Sequence, residues 1–225
     1  MLERWITALH IEDPGLEEPA ATRERFKDRF PKNATRRMTQ LGLLVGATLE
    51  PLKPTENDTL VYASGYAETR AIEGYLDSFP GASPTLFQTS IHPSAVQQAL
   101  IVHQQPVRQF FPLTGGAHLP VHALQVAMLA ETPRTLLCGG EERGTWLLEN
   151  HSASDRAFAF ALALSASPEG AIGRLTLACD ELTDVPRVAD AAIPFALPDF
   201  FDVLHTRRPF NGCIAPSRRL TLTWL

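Results

Sequence analysis

Residues 83–142 read SPTLFQTSIHPSAVQQALIVHQQPVRQFFPLTGGAHLPVHALQVAMLAETPRTLLCGGEE, and their patterning decides the fold. Helical spacing over about 84–103, kinked at His92-Pro93, gives way to an apolar strand over 107–113. The turn Leu113, Thr114, Gly115, Gly116 opens an apolar helix that runs to about Glu131, and 134–140 is the next strand. A strand that delivers the chain to a helix N-terminus leaves free backbone N–H groups and a dipole that favours an anion. An α/β enzyme places its nucleophile at such a junction, but Thr114, Gly115 and Gly116 supply no good one. The helix that follows is apolar nearly all round from Ala117 to Ala130, which predicts burial on every side.

Upstream, WITAL at 5–9 reads as a first strand ended by the EDPG cluster. Asn33 or Thr35 is expected to cap a helix that continues to about Glu50, with Met38, Leu41, Val45, Thr48 and Leu49 along one stripe. Residues 60–63 read as a buried strand, and 67–79 as a helix with Ile72, Tyr75, Leu76 and Phe79 on one apolar side. Downstream, 157–166 is a long apolar segment, 173–179 alternates as a strand does, 199–206 has helical spacing, and 218–225 is a closing strand. Strands separated by helices predict an α/β fold with a mixed sheet around a buried central helix, and 1–225 is read as one domain.

Composition narrows the function. The 225 residues suffice for one substantial core, and 44% hydrophobic with 20% charged residues is ordinary for a soluble globular protein. A net charge of −5 speaks against nucleic acid as the main partner. Cys138, Cys179 and Cys213 lie in separate segments, suggesting neither a disulfide framework nor a zinc knuckle, and a cytoplasmic setting fits best. The N-terminus has no apolar run long enough for a signal peptide or a membrane span. Eighteen prolines, many near 80–120 and 184–216, predict chain reversals between apolar runs. Residues 22–37 hold seven Lys/Arg against two acidic residues, which makes either a solvated connector or a landing site for an acidic partner.

The candidate chemistry is sparse. His118 and His122 share a helix face as metal pairs do, but no HExxH glutamate and no third ligand accompany them. They read as polar residues facing a cavity or interface, and no metal or cofactor is expected. His92 reads as a packing histidine at the kink, Cys138 as a small core residue and Cys213 as a loop thiol without an evident base. Ser64, Ser83, Ser90 and Ser94 offer hydroxyls without a GxSxG elbow. The doublets Gly115-Gly116 and Gly139-Gly140 belong to no phosphate-loop pattern and are read as tight turns.

Five motifs in order carry a family resemblance. RRMTQLG at 36–42, SPTLFQTSIHPSAVQQAL at 83–100, VRQFFPL into TGGAHLPVHAL at 107–124, RTLLCGGEE at 134–142 and AFAFALALSAS at 157–167 resemble the N-terminal half of a β-ketoacyl synthase of the thiolase-like superfamily, over roughly 34–167. The likeness is closest to the short chain-length factors of type II polyketide, fatty-acid-like and aryl polyene pigment clusters. In an active synthase the turn after the strand carries a cysteine whose pKa the helix N-terminus lowers and whose oxyanion the backbone N–H groups hold. The match puts Gly115 there, within about one residue. The family's two histidines and lysine come from a second half, and this sequence reaches about the end of the first.

The resemblance thus implies a truncated thiolase-like fold and a non-condensing accessory subunit, leaning away from an enzyme in its own right. Its expected partners are an active ketosynthase and an acyl carrier protein, in a homo- or heterodimer. It further implies that Thr114, Gly115, Gly116, His118 and His122 mark a degenerate nucleophile turn or acyl pocket. Val107, Gln109, Phe110 and Phe111 would lie at the dimer interface on an edge strand. Arg25, Lys27, Arg29 and Lys32 would dock the acidic carrier protein. The alternatives are a small acyltransferase or hydrolase using a serine or Cys213, and a non-catalytic homodimer that binds an acyl or CoA ligand. With no second half, either residues 168–225 fold back over the 116–131 helix or another subunit covers it.

Overall fold

A computed structural model describes residues 1–179 and 195–225. The chain runs β1 (Leu2–Gly15), α1 (Pro19–Arg25), α2 (Lys32–Thr35), α3 (Gln40–Leu49), a 3-10 turn Glu50–Leu52, β2 (Thr59–Ser64), α4 (Thr69–Asp77), α5 (Pro84–Ser90) and α6 (Ser94–His103). It continues through β3 (Gln109–Thr114), α7 (Leu119–Leu129), β4 (Arg134–Glu141), α8 (Trp146–Glu149), β5 (Ala157–Ser165), β6 (Gly173–Cys179), α9 (Leu197–Thr206), β7 (Phe210–Ala215) and β8 (Arg218–Trp224). Among the described residues the strands form one eight-stranded mixed sheet in the order β3-β2-β4-β5-β1-β6-β8-β7. β2 pairs in parallel with both β3 and β4, whereas β5 runs antiparallel to β4 and β1. β6, β8 and β7 continue the sheet beyond β1 as antiparallel neighbours.

β5 separates two cores. Side chains alternate across a strand, so Phe158, Phe160, Leu162 and Leu164 enter one apolar cluster while Ala157, Ala159, Ala161 and Ala163 enter the other. The large side chains pack beneath α9, with Phe158 4.4 Å from Phe201 and Phe160 5.5 Å from Phe200 between ring centroids. The alanine face makes room for α3, whose ten residues are all buried. α3 in turn meets α6 through small residues, since a Cβ on Gly46 would lie 3.0 Å from the Phe30 ring and 3.2 Å from the Ala99 Cβ.

Several expectations are corrected. The helix buried on every side is α3, whereas α7 leaves His122 and Leu129 exposed. The glycines, threonine and glutamine of α3 dilute its apolar pattern, yet they make the helix thin enough to be enclosed. Thr39, and neither Asn33 nor Thr35, caps α3 by accepting from the Gly42 N–H; residues 32–35 form the separate short helix α2. α4 ends at Asp77 and buries Thr69, Ala71 and Glu73; of the expected apolar side Ile72 and Tyr75 are half-buried, while Leu76 and, beyond the helix, Phe79 are exposed. The cause is Glu73, which accepts N–H bonds from Thr145 and Leu147 and draws the polar side inward. β1 passes through the EDPG cluster to Gly15 with an irregularity between Glu12 and Gly15. β3 starts at Gln109 rather than at Val107, and α7 at Leu119 rather than at Gly116. Cys213 stands on β7, not in a loop. The C-terminal region does fold back, for α9 and β7 both pack on α7. Pro186 and Pro194, counted among the expected chain reversals, lie outside the described residues.

Candidate functional site

The parallel strands β2, β3 and β4 bring three C-terminal ends together, the position where open α/β sheets place their ligands. Ser64 pairs with Thr114 in register, and β4 ends at Glu141. Gly65 holds the three together: a Cβ there would lie 3.1 Å from Glu141 Oε1 and 3.3 Å from the Gly115 carbonyl oxygen. The glycine turn therefore does not stand alone. Through Gly65 it neighbours a buried carboxyl group.

Glu141 accepts hydrogen bonds from the N–H groups of Gly65 and Tyr66 and from the Ser64 hydroxyl. Glu142 accepts from the N–H of Leu41 at 3.0 Å and of Arg70 at 2.8 Å, so it joins the first turns of α3 and α4. Glu68 accepts from Ala95 N–H at the start of α6. With Glu73, these residues place four buried carboxyls against helix or loop N–H groups; α4, α6 and α8 have no side-chain cap at the N-cap position, and α3 divides its first turn between Thr39 and Glu142. Positive helix ends favour such groups, but the cost of desolvation opposes them. Burial pushes Glu141 up to about 8, against the pull of its three donors, and the neighbouring Glu142 charge adds to the rise. Burial likewise pushes Glu142 up to about 7. Beside them His92 stacks on buried Tyr62 at 5.1 Å, with its Nδ1 3.3 Å from Glu68 Oε2 but without hydrogen-bond alignment. Burial pushes the Tyr62 phenol up, and the nearby Glu68 charge reinforces it.

The expected site residues do not form one constellation. Thr114 and Gly116 are exposed and Gly115 half-buried at the turn. His118 and His122 line a different space, a groove of about 370 Å³ between α7 and the β7–β8 turn. No group of three or more metal-ligating side chains occurs among the described residues. Gln109, Phe110 and Phe111 lie on β3, which is an edge of the sheet, with Phe111 38% exposed. Val107 precedes that strand and packs toward the α3 core. Of the four basic residues, Arg25 pairs with Glu12 at 2.6 Å and with Glu17, Lys27 pairs with Glu24, and Arg29 pairs with Glu50 at 2.7 Å. Lys32 is exposed, as are Arg36 and Arg37. Cys138 is buried, and burial pushes its thiol far above the reactive range. Sequence reading missed the acidic cluster. Its signal was the doublet that ends RTLLCGGEE, charged residues placed directly after an apolar strand.

Fold and site together define an α/β architecture with one mixed sheet, whose strand-to-helix turn between β3 and α7 carries Gly115 and Gly116. A chain in the structure of the ketosynthase ApeO in complex with its chain length factor ApeC, from Xenorhabdus doucetiae, matches with a TM-score of 0.65 at 19% identity. That match covers 99% of this chain and 100% of the other. The ishigamide ketosynthase/chain length factor matches at 0.59 and 12% identity, over 82% of this chain and 69% of that one. A β-ketoacyl synthase from Burkholderia phymatum matches at 0.53 and 12%, over 80% and 64%. The fold is thus that of ketosynthases and chain length factors. No family model and no curated protein matches the sequence, and no helix among the described residues is long and apolar enough to cross a membrane.

Proposed function

We propose that the chain is a non-condensing, chain-length-factor-like subunit that works beside an active ketosynthase and an acyl carrier protein in polyketide, fatty-acid-like or aryl polyene assembly. The observation that carries this reading is Gly115, which has no side chain to acylate at the turn between β3 and α7. Support comes from the full-length match to a chain in a ketosynthase–chain length factor complex. The edge strand β3 is the surface for a partner subunit: its outer hydrogen-bonding groups and the exposed Phe111 are a hazard unless covered. Carrier docking falls to Lys32 with Arg36 and Arg37, because Arg25, Lys27 and Arg29 are engaged by carboxylates of their own chain.

The test is co-expression with the ketosynthases and carrier protein of the chain's own gene neighbourhood, read by pull-down and native mass. A stoichiometric complex with a ketosynthase is expected, lost on Phe111→Glu. A homodimer that binds none of them would refute the accessory role.

A further inference from the structure

We propose that the groove between α7 and the β7–β8 hairpin binds a small oxyanion of the phosphate-monoester class. The groove is lined by His118, Val121, His122, Gln125, Ala215, Pro216, Ser217 and Arg218. In a chain of net charge −5, this lining holds two imidazoles and a guanidinium and no carboxylate. Arg218 makes no ion pair with a carboxylate among the described residues; its Nη1 lies 2.7 Å from Cys179 Sγ and 3.3 Å from the Ser217 carbonyl oxygen. His118 Nδ1 is buried and has no hydrogen-bond partner, so no bond holds the imidazole in place, and a turn of the ring toward the groove would let a ligand atom remove the cost. His118, the N-cap of α7, lines the groove, so the positive end of that helix lies at this wall; Leu119 N–H already donates to the Gly116 carbonyl and Pro120 has none, so the helix contributes through its dipole rather than a row of donors.

The backbone shapes both walls. His118 at φ 73° and Ser217 at φ 56° are both non-glycine residues in the left-handed region, and they stand on the two walls of the groove. Ser217 completes the two-residue turn from β7 to β8 and His118 is the N-cap of α7, so each element fixes its own wall of the groove. A phosphate monoester carries close to two charges and three terminal oxygens, so it can take donors and cations from both walls at once, where a carboxylate brings one charge and two oxygens. Val121, Ala215 and Pro216 provide an apolar wall for the ester's carbon group.

The experiment is an NMR titration of the full chain with inorganic phosphate, methyl phosphate and butyrate, following the imidazole signals of His118 and His122 with His151 as a remote control. Saturable shifts at His118 and His122 with both phosphates, and weaker binding of butyrate, are the expected result. Arg218→Gln should weaken phosphate binding about tenfold or more, as loss of a charged hydrogen bond does. His122→Gln, at an exposed position, should weaken it while leaving the thermal midpoint unchanged. Absence of saturable shifts, equal phosphate binding in folded Arg218→Gln, or tighter binding of butyrate than of phosphate would each overturn the assignment.

Discussion

Raising the pH from 5 to 8 should destabilise the protein, and Glu141 should be the principal cause. Its carboxyl sits 1% exposed at the end of β4, and burial lifts it from an ordinary 4.5 to about 8 in the folded chain. A folded-state value above the unfolded one means the native protein holds the proton more tightly. The associated stability is complete below about pH 4.5 and is lost as pH rises through 8. Glu142, lifted to about 7, acts in the same direction over a lower window. Each group that keeps its proton only in the folded state tilts stability by about 1.4 kcal/mol per pH unit. His10 works the other way: burial, then Arg29 and Arg207, hold its imidazole low, so its contribution is lost on acidification below about 6.5. Between pH 7 and 8 that opposing term is spent and Glu141 dominates. Urea unfolding at pH 5, 6, 7 and 8 would measure the slope in the native chain and in Glu141→Gln. The variant retains a neutral acceptor for part of the Ser64, Gly65 and Tyr66 donors, so its stability should be nearly flat from pH 7 to 8 while the native chain falls. Equal slopes in the two proteins would refute the reasoning.

Two further outcomes follow from packing and pairing. Arg134 clamps Asp58 with bonds of 2.9 and 2.6 Å and also donates to the carbonyls of Leu52 and Lys53. Burial raises the Asp58 carboxyl, but Arg134 and Thr55 outweigh it and hold it below its usual value. Arg134→Ala should therefore cost about 2–3 kcal/mol at pH 7 in urea unfolding, less than a fully buried pair because Arg134 is partly exposed. Gly46→Val should cost about 1–3 kcal/mol, since its added carbons meet Phe30 and Ala99 at contact. Phe30→Leu in the same chain should recover part of that loss, read as a rise in thermal midpoint.

The fold was legible where short-range patterning governs. The 157–166 run, the alternation of 173–179 and the proline break at 92–93 all mark elements that the structure contains. Patterning failed where a distant polar group sets the burial of a helix. Glu142 bonds to Leu41 across 101 residues and Glu73 to Thr145 across 72, so neither window of sequence reveals why α3 is enclosed or why α4 faces as it does. The glycine turn was visible as a strand-to-helix junction, but the carboxyl of Glu141 behind it was not, because it is tied there through Gly65, a bond between the ends of two strands 76 residues apart. The histidines line a groove beside the β7–β8 turn instead, because α7 packs on β7, an element nearly 100 residues further along the chain.

The alternation along β5 also bears on folding fidelity. A slip of one residue against β4 or β1 would put Phe158 and Phe160 where alanines now meet α3, and would leave alanines beneath Phe200 and Phe201. One misregistered partner would thus overfill one core and empty the other at the same time. The strand at the centre of the sheet admits a single alignment. Substitution there should be tolerated by size class and by parity of position: aliphatic exchange at even positions, and nothing larger than serine at odd ones.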